Sequence, residues 1–140
     1  MSLHILDTDH LTLFRVGHAE VAAHVAATPA PQIAVTIITV DEQLTGWYTQ
    51  LRKARDPIKL AWAYDGLFQV VESLKVFTVV PFSLAAAQRY FALRKQLPRL
   101  GKMDLAIAAT VLEVSGILVT RNWSDFQQVS GLLLEDWSKP

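Results

Sequence analysis

The sequence predicts an α/β fold with helices covering both faces of a central parallel sheet, and three observations predict it. Short apolar runs alternate with helix-period segments along the whole chain. The runs are almost continuously apolar, as strands buried on two faces are. The segments between them are long enough to serve as crossovers, which parallel neighbours require. At 140 residues, 51% hydrophobic and 19% charged, the chain suits one globular domain spanning 1–140 and is too apolar for disorder.

The first strand reads as Leu3 to Leu6. A helical pattern from His10 to Ala26, interrupted at Gly17, leads through Pro29-Ala30-Pro31 to a second strand, Ile33 to Ile37. Thr39 to about Arg55 is helical, with Thr39 as its cap, and a further helix from about Ile58 to Leu74 precedes a third strand, Val76 to Val80. Ser83 to Leu97 is the next helix, ended by Pro98-Arg99-Leu100-Gly101. Asp104 to Ser115 is apolar nearly all round, the mark of a buried helix, and Gly116 closes it. Ile117 to Thr120 is the fourth strand and Leu132 to Leu134 a fifth.

Composition removes several kinds of chemistry. With no cysteine, disulfides, thiolate-bound zinc and thiol nucleophiles are excluded, so any metal must rest on oxygen or imidazole. The N-terminus meets Asp7 before an apolar signal core accumulates, and no later run approaches the ~20 apolar residues of a membrane span. A cytoplasmic location away from membranes is expected. Net charge is zero, but its distribution is uneven. No acidic residue falls between Glu72 and Asp104, whereas Lys75, Arg89, Arg94, Lys95, Arg99 and Lys102 do. That interval is either a solvated helix face or a surface along which phosphates approach.

Ligands of open α/β sheets bind beyond the carboxyl ends of the strands, and carboxylates fall there repeatedly. Asp7 follows the first strand directly. Asp9 stands two positions on, as a helix cap or a site residue. Glu42 lies three residues after Thr39, the spacing of a capping box, yet the first turn after the second strand is also at the ligand edge. Asp41 would project about 100° away. Asp104 opens the buried helix after the basic loop, and Asp125 follows the fourth strand, with Thr120 and Asn122 as accessory polar groups. Converging carboxylates repel one another, and a divalent cation relieves that repulsion. Oxygen-only ligands favour Mg²⁺ or Mn²⁺ over zinc, and such a site suits phosphodiester hydrolysis.

Four segments in this order, Leu6-Asp7-Thr8-Asp9, Glu42-Gln43-Leu44-Thr45-Gly46, Asp104-Leu105-Ala106-Ile107-Ala108-Ala109 and Leu118-Val119-Thr120-Arg121-Asn122-Trp123-Ser124-Asp125-Phe126, resemble the PIN-domain ribonucleases. The resemblance is greatest to the VapC toxins of bacterial toxin–antitoxin pairs, and it spans nearly the whole chain. It implies a three-layer α/β/α PIN-like fold and Mg²⁺- or Mn²⁺-dependent endoribonuclease activity. It also implies a homodimer and a cognate antitoxin covering the site. Asp7, Glu42 and Asp104 match the family's first three acids, Asp125 the less constant fourth, and Thr120 and Asn122 its accessory polar positions. Arg94, Lys95, Arg99 and Lys102 become candidate RNA contacts. The second segment departs from the family pattern in having polar residues on both sides of Glu42.

Two other readings compete. Asp7-Thr8-Asp9 after a short strand also resembles the start of a haloacid-dehalogenase-type phosphatase, although Asp104 on a buried helix fits that poorly. A PIN fold kept as a catalytically idle binding module is the other. His4, His10, His18 and His24 share no ligand spacing with the acids and read as structural or surface residues. Trp47, Tyr48, Leu51, Leu60, Trp62, Tyr64, Leu67 and Phe68 read mostly as core, with the remainder free to form a dimer or antitoxin groove.

Overall fold

In the computed structural model, residues 2–140 are described. Among them, β1 (His4–Leu6), β2 (Ile33–Thr36), β3 (Thr78–Val80), β4 (Ile117–Val119) and β5 (Leu133–Glu135) form one parallel sheet in the order β3-β2-β1-β4-β5. The expected strands are all present, each within a residue or two of its predicted limits. Their neighbours are fixed by register: Ile5 pairs with Ala34 on one side and Leu118 on the other.

Alternate strand residues enter two separate cores, which is why the apolar runs are continuous. Ile5, Ala34 and Leu118 pack with Leu93, Leu105, Ile107 and Val111. Those partners come from α5 (Leu84–Gln96) and α6 (Lys102–Glu113). Leu6, Val35 and Val119 pack on the opposite face with Leu11, Val21 and Val25, which belong to α1 (Thr8–Arg15) and α2 (Ala19–Ala27). The result is the three-layer α/β/α, PIN-like fold. Gly17, at φ 82°, breaks the first helical pattern where predicted.

Helix starts correct several expectations. Asp7, not Asp9, caps α1, its carboxylate accepting the His10 backbone N–H at 2.7 Å. The third helix, α3 (Ile37–Lys53), is capped by Thr36, which accepts from the Thr39 N–H at 3.1 Å. Thr39 is therefore inside the helix, and Glu42 is too far along to close a capping box. Ile37 belongs to this helix rather than to β2. The cap of α6 is Gly101, with no side-chain bond, so Asp104 sits within the first turn without capping it. At the far end of α6 the left-handed residue is Ser115, at φ 52°, rather than Gly116. Gly116 is needed for proximity instead, since a Cβ there would press on the Leu3 carbonyl.

The α3–α4 hairpin, completed by α4 (Pro57–Leu74), carries a further correction. Ala63, Gly66, Val70 and Ser73 face inward. Tyr48, Leu60, Trp62, Tyr64 and Phe68 are exposed, so most of the aromatic run lies outside the core. Small residues on the inner side bring the two helices close, and no further layer covers their outer side. No helix among the described residues is long and apolar enough to cross a membrane.

Candidate metal centre

The chain passes from β1 to β2 to β3 on one side, then returns to place β4 and β5 on the other. The strand order therefore reverses between β1 and β4, the point at which open α/β sheets bind ligands. Asp7 stands there, immediately after Leu6, its N–H bonded to the Val119 carbonyl of β4 at 3.0 Å. It is 7% exposed. A carboxylate so buried beside a strand junction needs partners.

Glu42 reaches the same edge from the second turn of α3. Thr8 Oγ1 donates to Glu42 Oε1 at 2.6 Å, and Thr39 Oγ1 lies 3.1 Å from Thr8 Oγ1. Since Thr8 has one hydroxyl proton and gives it to Glu42, Thr39 must be the donor in the second bond. Two threonines thus orient one carboxylate. The polar neighbours of Glu42 have separate duties: Asp41 is exposed and accepts from Thr45 Oγ1, and Gln43 Nε2 donates to Thr12 Oγ1 of α1.

Asp125 lies in a short helix, α7 (Trp123–Phe126), where it accepts from Asn122 Nδ2 at 3.0 Å. Asn122 is fixed by its own N–H, which donates to the buried Thr120 Oγ1 at 2.9 Å. Thr120 and Asn122 thus form a relay that holds Asp125.

Asp104 reports how these groups act on one another. Burial pushes its carboxyl up to about 6, and the charges of Glu42, Asp7 and Asp125 push in the same direction. The charges of the other three predicted acids are thus felt at Asp104. The donor set fits a hard divalent cation, which takes oxygen ligands and neutralises accumulated negative charge.

Among the described residues, one group of three potential ligands has its atoms within 4.8 Å of one another: Asp7, Asp9 and His10. Chemistry argues against Asp9 as a ligand in it. Both Asp9 oxygens are taken by Arg121, Nε to Oδ2 at 2.7 Å and Nη2 to Oδ1 at 2.9 Å. Asp9, expected as a cap or an accessory group, does not cap α1 and forms half of a bidentate ion pair. Mg²⁺ retains several waters and takes few direct carboxylates, so it does not require all four acids as direct ligands.

The last part of the basic interval leads into the helix that carries Asp104, whereas Lys75 pairs with Glu72 and Arg89 with Glu113 at the far end of that helix. Lys95, Arg99 and Lys102 are exposed, and no carboxylate pairs with them among the described residues. Arg94 is half-buried, with its guanidinium 5.7 Å from the Tyr90 ring centroid. Arg94 and Lys102 line a shallow cavity with Gly101 and Leu105, and Lys102 opens the helix bearing Asp104. Three participants escaped the sequence reading. Thr8 sat in plain view beside Asp7. His10 lies three residues from Asp7, but nothing local marks its burial. Arg121 meets Asp9 across 112 residues, for which one sequence carries no signal.

No protein-family profile and no curated protein matches the sequence. Solved structures do match in fold. A chain of VapBC from Salmonella typhimurium, solved bound to DNA, superposes with a TM-score of 0.81 at 20% identity, covering 98% of this chain and 99% of that one. A chain of VapBC2 from Rickettsia felis, solved with a DNA fragment from its promoter, gives 0.79 at 22% identity, covering 96% and 98%. A toxin–antitoxin complex from Klebsiella pneumoniae gives 0.69 at 28% identity, covering 93% and 95%. The fold is that of chains found in toxin–antitoxin complexes.

Proposed function

We propose that the chain, as a single PIN domain, is a Mg²⁺- or Mn²⁺-dependent endoribonuclease and the toxin of a VapBC-type pair. The observation that supports this reading best is the raised carboxyl of Asp104, pushed up by burial and by the charges of Glu42, Asp7 and Asp125. The fold shared with chains of VapBC complexes supports it.

Asp7 and Asp104 would hold the cation directly. Bound there, a divalent cation supplies positive charge to the non-bridging and leaving oxygens of a phosphodiester and acidifies water. The chain supplies position. Glu42 has one oxygen committed to Thr8, which leaves the other to orient the attacking water and accept its proton. Asp125, held by Asn122, acts through water. Lys95, Arg99 and Lys102 meet the RNA phosphates, whose contacts set register rather than sequence.

The exposed outer face of α3–α4, with Tyr48, Trp62, Tyr64 and Phe68, suits an antitoxin segment or the second subunit of a homodimer. A cytoplasmic setting accords with an RNA substrate.

Incubating the purified chain with structured RNA and Mg²⁺ or Mn²⁺ should give cleavage that EDTA abolishes. Asp7→Asn and Asp104→Asn should each lower it at least ~100-fold while remaining folded by circular dichroism. Unchanged cleavage in both variants would overturn the site assignment. Absence of cleavage with any divalent metal would favour an idle binding module, and phosphate release from small esters would favour the phosphatase.

A further inference from the structure

His10 is completely buried on the first turn of α1, in the triple with Asp7 and Asp9 that superficially offers a nitrogen ligand. Its contacts give it a different task. Nε2 accepts the backbone N–H of Trp137 at 3.2 Å, in the segment that follows β5. A ring nitrogen that accepts carries no proton, so the ring proton belongs on Nδ1. Nδ1 is buried, completes no hydrogen bond, and lies 3.4 Å from Asp7 Oδ1. In the opposite tautomer, a lone pair on Nδ1 would be free for a cation, but Nε2–H would then face the Trp137 N–H. Asp136 Oδ1, 3.5 Å from Nε2, gives that proton poor alternative, because it already accepts from Ser138 N at 2.8 Å and Ser138 Oγ at 2.6 Å.

We propose that His10 is a positioning residue for Asp7: a strut between the metal centre and the C-terminal segment, and not a ligand. This rests on the nuclease reading above. His10 donates its backbone N–H to Asp7 Oδ1 at 2.7 Å and sets Nδ1 3.4 Å from the same oxygen, a dipole–charge contact short of a formed hydrogen bond, which leaves Oδ2 for the cation. Hydrogen bonding behind a ligating carboxylate sets its orientation and affinity. The far end of the strut is itself held. The Trp137 ring stacks on His24 at 5.1 Å and 12°, and its Nε1 donates to Glu135 Oε1 at 2.9 Å.

Mn²⁺ titration calorimetry on the full chain, compared with His10→Asn and His10→Gln, tests this. The Asn amide falls where Nδ1 sits, and the Gln amide falls where Nε2 sits. His10→Gln should lose ~10-fold or more in Mn²⁺ affinity, and His10→Asn should stay within ~3-fold. Imidazole ¹⁵N spectra of the metal-free parent should show Nδ1 protonated and Nε2 bare. Equal losses in both variants would make His10 a packing residue and overturn the proposal, as would full affinity in His10→Gln or a protonated Nε2. If neither variant folds, the parent tautomer decides. A parent that binds no Mn²⁺ overturns the nuclease reading instead.

Discussion

At pH 7 Asp104 is ionised among three other carboxylates, and at pH 5 it retains its proton, because burial and those neighbours raise its carboxyl to about 6. The unfolded chain gives up the same proton near 3.8. Between these values the folded state binds more protons than the unfolded one, so this group makes stability fall as pH rises through the window and stay low above it. In EDTA, Asp104→Asn should therefore stabilise the protein by about 1–2 kcal/mol at pH 7.5, allowing for partial exposure, and by less at pH 5. Urea unfolding at the two pH values measures this, and a variant less stable than the parent at pH 7.5 would contradict it. Asp7, Asp104 and Asp125 were legible in the sequence because each stands at a strand end or helix start, a local signal, whereas Glu42 was legible through a first-turn position that the structure moves to the second turn. The partners that orient them were mostly not. Arg121 claims Asp9 and His10 touches Trp137 through distances in sequence that no local pattern spans.

Helices and strands were legible in kind and order because hydrophobic period marks them, but their starts were misjudged where two capping residues compete. Thr36 and Thr39 compete to start the third helix, and Thr36 prevails because it ends β2 in extended backbone, as a cap requires. Moving the cap three residues earlier carries Glu42 into the second turn, within reach of Thr8. The α3–α4 hairpin was misread in another way. Its aromatic residues looked like core because composition reports apolarity and not which side of a helix pair lacks a cover. Gly66 shows the inner side's constraint, since a Cβ there would overlap the Trp47 ring. Gly66→Ala should destabilise by about 1–3 kcal/mol, read by urea denaturation, and adding Trp47→Leu should recover part of it. A neutral Gly66→Ala would mean that the indole moves aside freely.

Across the whole molecule, the sequence conveyed a parallel sheet but not its order. Nothing local says that β1 pairs with both β2 and β4, yet that pairing creates the crevice where the carboxylates meet. Binding there should couple to global stability. Mn²⁺ at 100 times its dissociation constant should raise the unfolding free energy by about 2.7 kcal/mol. A melting shift of several degrees that EDTA reverses is the expected readout, and no shift with saturating Mn²⁺ would remove the cation from the site. Strand order also bears on translation. On the ribosome Asp7 emerges early, but its sheet neighbour β4, the acids Asp104 and Asp125, and the Trp137 backbone that meets His10 all emerge in the last part of the chain. A nascent polypeptide therefore carries the first carboxylate long before it can build the crevice, and a prematurely terminated product lacking β4 has no centre to assemble.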